Sequence, residues 1–301
     1  MPEVTFYRHG LTAHKPNRMG NPNPPKRGRA VGWGPGPAKR NVKFLRSVDE
    51  TALSGEGWAI TLTVRDLPET PAAWTAAVKA WIQRQERKWM IRLHWVMEFQ
   101  RRGVPHLHAA AWYEPRGSAG GSAGRREDAR TNDAPLGLPP GHAATADWVD
   151  IAGKFGAGLK GQHARPIEGA VGWFQYMAKH CSRSAKHYQR QRDAMPSAWE
   201  SSPRVWGHRG DWTLQAPATG EVTPDEFYRL RRLIQQSRLA EARAGLPLNR
   251  RQVAYLRRIR KCPDRKRSEV RPVSEWVNEQ QQQRLLEAAR HGTRQRTRRL
   301  P

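Results

Sequence analysis

Apolar and polar residues alternate with a period of two between Leu93 and Tyr113. Leu93, Trp95, Met97 and Phe99 fall on one face of a predicted strand over Leu93–Gln100, and His94, Val96, Glu98 and Gln100 on the other, because successive side chains of a strand point to opposite sides. A second predicted strand, Pro105–Tyr113, alternates His106, His108, Ala110 and Trp112 with Leu107, Ala109, Ala111 and Tyr113. Arg101-Arg102-Gly103 between them suits a hairpin loop with glycine in the left-handed position. That register sets Glu98 opposite His106 and Val96 opposite His108. Directly opposed β-carbons lie about 4.5–5.5 Å apart, so Glu98, His106 and His108 can converge on one point. A slip of one residue would turn Glu98 to the apolar face.

The same periodicities predict the other elements. Trp58–Val64 reads as a strand. Pro71 opens a helix running to about Met90, with Trp74, Val78, Trp81 and Ile82 at core spacing. Ala144–Phe155 reads as a short helix and Gln162–Ile167 as a strand, with His163 read as structural. Glu168–Arg183 is a predicted helix whose buried stripe is Val171, Phe174, Ala178 and Cys181. Tyr176, Lys179 and Arg183 fall on another side, and Gly172, one turn before Tyr176, leaves room for a backbone or a bulky substrate. Farther on, Thr223-Pro-Asp-Glu226 is a capping box, and further helices are predicted over Asn249–Arg260 and about Val273–Arg290.

Composition divides the chain into a core and appendages. Residues 1–54, rich in Pro, Gly, Lys and Arg, read as a flexible basic arm. Residues 55–215 form the central domain, interrupted at 115–142 by a Gly/Ser-rich flexible insert, and 222–301 form a basic helical C-terminal region. The 53 basic against 27 acidic residues, net +26, imply a polyanionic partner. No apolar run is long enough to span a bilayer or serve as a signal, so nucleic acid is favoured over membrane. Two cysteines make no disulfide framework and point to a cytoplasmic location.

A carboxylate and two imidazoles on one face leave coordination positions open. Imidazole suits transition metals, and carboxylate oxygens suit Mg²⁺ or Mn²⁺; an ion there could polarise a phosphoryl oxygen. His-x-His alone more often marks a solvated polar face, and a tyrosine and lysine on one helix face are more often an amphipathic surface. The opposed Glu98 and the apolar reverse face favour the metal reading for Glu98, His106 and His108. Tyr176 then reads as a nucleophile and Lys179 as a source of charge at a scissile phosphate.

These motifs resemble those of rolling-circle replication initiators of the HUH endonuclease superfamily. Trp58-Ala-Ile-Thr-Leu-Thr-Val64 is similar to the threonine-rich first motif, His106-Leu-His108 to the second with Glu98 as its acidic ligand, and Tyr176-Met-Ala-Lys179 to the third. The resemblance implies an α+β fold, a five-stranded antiparallel sheet with flanking helices, in which Arg204-x-Trp206-Gly207 is the closing strand. It also implies Mg²⁺ or Mn²⁺ as cofactor, and nicking of single-stranded origin DNA through a 5′-phosphotyrosine followed by rejoining. With no second tyrosine three or four residues from Tyr176, the single-tyrosine plasmid or phage type is expected. With no Walker A pattern, unwinding would fall to a host helicase. The rivals are a transposase or relaxase of the same superfamily, and a non-catalytic basic nucleic-acid-binding protein.

Overall fold

The computed structural model describes residues 1–14, 33–115, 138–181, 199, 204–244, 250, 253–254 and 273–291. Along the chain come strands β1 (Glu3–Tyr7) and β2 (Gly10–His14), helix α1 (Pro35–Ser47), β3 (Glu56–Thr63), α2 (Pro71–Arg87), β4 (Met90–Phe99), β5 (Pro105–Tyr113) and α3 (Pro140–Ala152). β6 (His163–Pro166), α4 (Ala170–Cys181), β7 (Trp206–Gly210), β8 (Ala218–Glu221), α5 (Pro224–Ala244), β9 (Val273–Glu275) and α6 (Glu279–His291) follow. They form two compact units: Lys26–Leu214, and Met1–Pro25 with Gln215–Pro301.

The larger unit is built on an antiparallel five-stranded sheet of order β6-β3-β5-β4-β7. One face carries Trp58, Ile60, Leu62, Leu93, Trp95, Met97, Leu107, Ala109 and Ala111, buried against Trp74, Val78, Trp81 and Ile82 of α2 and Ala144 and Trp148 of α3. Full burial of each large side chain contributes roughly 1.5–3 kcal/mol. Two of the indoles keep hydrogen-bond partners: Trp81 donates to the Ala144 carbonyl and Trp148 to that of Thr63, both at 2.9 Å. Helix α2 starts where Thr70 accepts from the Ala73 amide at 3.1 Å, with Pro71 at its first position. Helix α3 lies so close that a β-carbon on Gly141 would fall on the Trp58 ring.

The opposite face is covered only in part. Helix α1 delivers Phe44, stacked on His208 at 4.3 Å and His94 at 5.7 Å, and Asn41, whose Oδ1 lies 2.6 Å from His94 Nε2. Burial, with a smaller push from His208, holds the His94 imidazole down to about 3, so it is neutral. Helix α4 adds buried Phe174, Met177 and Ala178. This face is apolar in the middle and polar where the β4–β5 hairpin turns. Trp199 and Trp212 are buried, and Trp206 lies in edge strand β7 packed against the core, so the described tryptophans of this region serve packing.

The smaller unit has an antiparallel sheet of order β8-β1-β2-β9. Val4, Leu11 and Ala13 are buried with Val222, Phe227, Leu230 and Ile234. The capping box forms at α5: the Thr223 amide donates to Glu226 Oε2 at 2.7 Å, and the Glu226 amide to Thr223 Oγ1 at 3.2 Å. A second reciprocal pair, Asn278 with Gln281, starts α6.

Three expectations are corrected here. Residues 1–54 are not a flexible arm throughout: Glu3–His14 is a hairpin, and α1 begins at Pro35 inside the Gly/Pro-rich stretch. Val4, Leu11 and Ala13 supply the missing apolar pattern, and proline is tolerated at a helix start. The C-terminal region 222–301 is not purely helical, since Val273–Glu275 is a strand, in the same sheet as Ala218–Glu221 just before the region. The last helix therefore begins at Glu279, after its asparagine cap, rather than at Val273. Helix α3 begins at Pro140, inside the expected 115–142 insert. Most of that insert and most of Asn249–Arg260 lie outside the described residues.

Candidate metal and tyrosine site

The β4–β5 hairpin has the register its loop predicts: Glu98 faces His106 and Val96 faces His108. The loop closes with the Gln100 amide donating to Val104 O at 2.8 Å, and Gly103 adopts φ 78°, a conformation glycine takes without steric cost. β3 lies on the other side of β5, placing Thr63 opposite His106 and Thr61 opposite His108. Two threonines, two histidines and a glutamate thus share one patch of one sheet face.

Glu98, His106 and His108 are all buried, and one ligand atom from each lies within 4.8 Å of the others. The two Nε2 atoms are 2.9 Å apart, and Glu98 Oε2 lies 4.0 Å from His108 Nε2. The imidazole separation is close to the ~3.0 Å between adjacent ligands of an octahedral ion with bonds of about 2.1 Å. A buried carboxylate beside two imidazoles is a donor set that can hold a divalent ion and leave positions for water or substrate. It is the one such cluster among the described residues. On its outer side, Thr61 Oγ1 lies 3.1 Å from His108 Nδ1.

Helix α4 brings the tyrosine to this cluster. The Tyr176 ring stands edge-on to that of His108, with centroids 6.0 Å apart, and is 38% exposed. It also packs against Trp173, with ring centroids 4.8 Å apart. The Arg165 guanidinium lies over that indole at 5.9 Å. A β-carbon on Gly172 would meet nothing within 4 Å, so the helix surface before Tyr176 is open. Lys179 follows Tyr176 on α4, but its side chain, like that of Cys181, lies outside what is described.

The fold thus brings Glu98, His106, His108 and Tyr176 together. His163 is exposed on edge strand β6, opposite Thr61. It shares the cross-sheet row of His108 but stands two strands away, roughly 9–10 Å at the usual strand spacing, and is not part of the cluster. Sequence reasoning assigned no role to Thr61, Trp173 or Arg165. For Thr61 a signal existed: Trp58, Ile60 and Leu62 alternate with Ala59, Thr61 and Thr63, so both threonines share the face opposite the core.

An antiparallel sheet carrying a Glu–His–His cluster, with a tyrosine from a packed helix beside it, is the arrangement implied for rolling-circle initiators. Residues 57–185 match the family of replication-associated protein ORF2/G2P. A protein described as a replication protein in Xylella fastidiosa strain Temecula1 is 39% identical over 284 residues, covering 92% of this chain and 99% of its own. The replication-associated protein G2P of Pseudomonas phage Pf3 is 36% identical over 276 residues, covering 91% of each. The chain belongs to this family of replication-associated proteins, the rolling-circle initiators to which its motifs pointed. No solved structure matches it. No helix among the described residues is long and apolar enough to cross a membrane.

Proposed function

We propose that this chain is a site-specific single-stranded DNA endonuclease and strand transferase that starts rolling-circle replication at an origin. The observation that carries the reading is the edge contact of Tyr176 with His108, which sets a partly exposed phenol against a buried Glu98–His106–His108 cluster. Those three side chains would hold Mg²⁺ or Mn²⁺, which when bound would polarise a non-bridging phosphate oxygen. Tyr176 Oη attacks the scissile phosphorus, its proton passing to solvent. The bond to the 3′ oxygen breaks, and that oxygen leaves as a 3′-hydroxyl. The 5′ phosphate stays on Tyr176 until a 3′-hydroxyl attacks it, restoring the phenol and a phosphodiester. Lys179 serves as the cation beside that phosphate. Origin DNA is the substrate, in keeping with the net charge of +26, and a host helicase supplies unwinding.

The test is a denaturing gel of the full-length protein with labelled single-stranded fragments tiling its own replicon. A covalent adduct formed with Mn²⁺, absent with EDTA and absent in Tyr176→Phe, is the expected result. Tight binding without an adduct on any fragment would instead identify a replication protein that binds DNA without cutting it.

A further inference from the structure

The threonine-rich strand β3 has so far no chemical part, although it lies alongside the cluster. Its two threonines stand opposite the two histidines, yet they differ in what they touch. Thr63 Oγ1 donates to the Gly161 carbonyl at 2.9 Å, and the Thr63 amide and carbonyl are both bound by the Gln162 side chain, at 2.7 and 3.1 Å. All of these bonds hold the turn before β6. Thr61 Oγ1 instead lies 3.1 Å from His108 Nδ1, on the side of the imidazole away from His106 and Glu98.

We infer that Thr61 is a positioning residue for the metal site: its hydroxyl oxygen accepts the Nδ1–H of His108 and so turns the Nε2 lone pair toward Glu98 and His106. The inference rests on the proposed metal reading of the cluster. A neutral imidazole carries one ring proton, and the nitrogen that bears it is set by the partner of the other. An imidazole that binds an ion through Nε2 must carry its proton on Nδ1. Without an acceptor there, the proton is free to sit on Nε2, where it blocks the ligand position and can bond to His106 Nε2 at 2.9 Å. Thr61 also fixes the ring's rotation, because β3 is hydrogen-bonded to β5 along its whole length. Such outer partners typically change metal affinity 10–100-fold. Thr63, though beside His106, is a fold residue and carries no such role.

The experiment is Mn²⁺ titration by calorimetry and electron paramagnetic resonance on the full chain without DNA. It compares wild type, Thr61→Val, Thr61→Ser, Thr63→Val and His108→Ala, with circular dichroism to confirm folding. Thr61→Val is expected to weaken Mn²⁺ binding about 10–100-fold. Thr61→Ser, which keeps the hydroxyl, should bind like wild type even if Thr61→Val proves poorly folded, and Thr63→Val should leave affinity unchanged. Equal affinity in wild type and folded Thr61→Val, with binding lost in His108→Ala, overturns the inference and leaves the metal reading intact. Weakened binding in Thr61→Ser equal to that of Thr61→Val also overturns it, because the hydroxyl is then not the operative group. Binding undiminished in His108→Ala removes the metal reading itself, and the inference with it.

Discussion

Tyr176 meets His108 edge to face, with ring planes at 87°, so the proposed nucleophile's ring is seated by a side chain of the Glu98–His106–His108 cluster. Removing the hydroxyl leaves that contact in place. Tyr176→Phe is therefore expected to keep its fold, its Mn²⁺ affinity and its DNA affinity, and to lose covalent adduct formation completely. Calorimetry and a gel on the same preparation check it, and a variant that still forms adduct would move the nucleophile elsewhere.

Glu98 is fully buried beside two imidazoles. An ion bound there stabilises the folded state by about 2.7 kcal/mol at a hundredfold excess over its dissociation constant. Mn²⁺ should accordingly raise the melting temperature of the wild type by several degrees. Glu98→Ala should show no such rise, and scanning calorimetry with and without EDTA decides it.

His94 makes stability depend on pH. The unfolded chain takes up a proton at this imidazole near 6.5, whereas the folded protein does so only near 3. Its contribution is whole above about 6.5 and is lost as pH falls from there toward 3, at up to about 1.4 kcal/mol per pH unit. Urea midpoints of wild type and His94→Gln at pH 7.5 and pH 4.5 should show the smaller acid loss in the variant. Equal losses would mean that other groups carry the acid sensitivity.

A β-carbon added to Gly141 would collide with the Trp58 ring. Alanine is the better helix former by up to about 1 kcal/mol, but Trp58 is buried beneath α3 and has nowhere to go. Overpacking wins, and Gly141→Ala is expected to destabilise the larger unit by about 1–3 kcal/mol in chemical denaturation.

Deleting residues 1–14 removes both central strands of the β8-β1-β2-β9 sheet. Hydrogen exchange should then lose protection in α5 and α6 while β3–β5 keep theirs. Slow exchange surviving in α5 would show that the hairpin is dispensable.

What was legible in the sequence was what the chain makes locally. The β4–β5 hairpin closes across a five-residue gap between Phe99 and Pro105, so its alternation and Gly103 fixed the register of Glu98, His106 and His108. Tyr176 was legible as part of an amphipathic helix, though not its distance from His108. The N-terminal hairpin was hidden because β1 and β2 complete their hydrogen bonding with residues 218–221 and 273–275; neither is near in sequence, and the intervening Pro/Gly-rich stretch dominates the composition. Thr61 was hidden for a related reason: its relation to His108 exists only once β3 pairs with β5.

The pairing of β2 with β9 also sets an order of events at the ribosome. Every strand of the larger unit has been made by residue 210, and that unit can close while synthesis continues. Strand β2, made about 260 residues earlier, must wait for Val273–Glu275. At roughly 5–20 residues per second, that interval is on the order of ten to fifty seconds. Strand β2 is thus secured on its outer side only late, and during that time its unpaired edge is open to chaperones, proteases and other nascent copies.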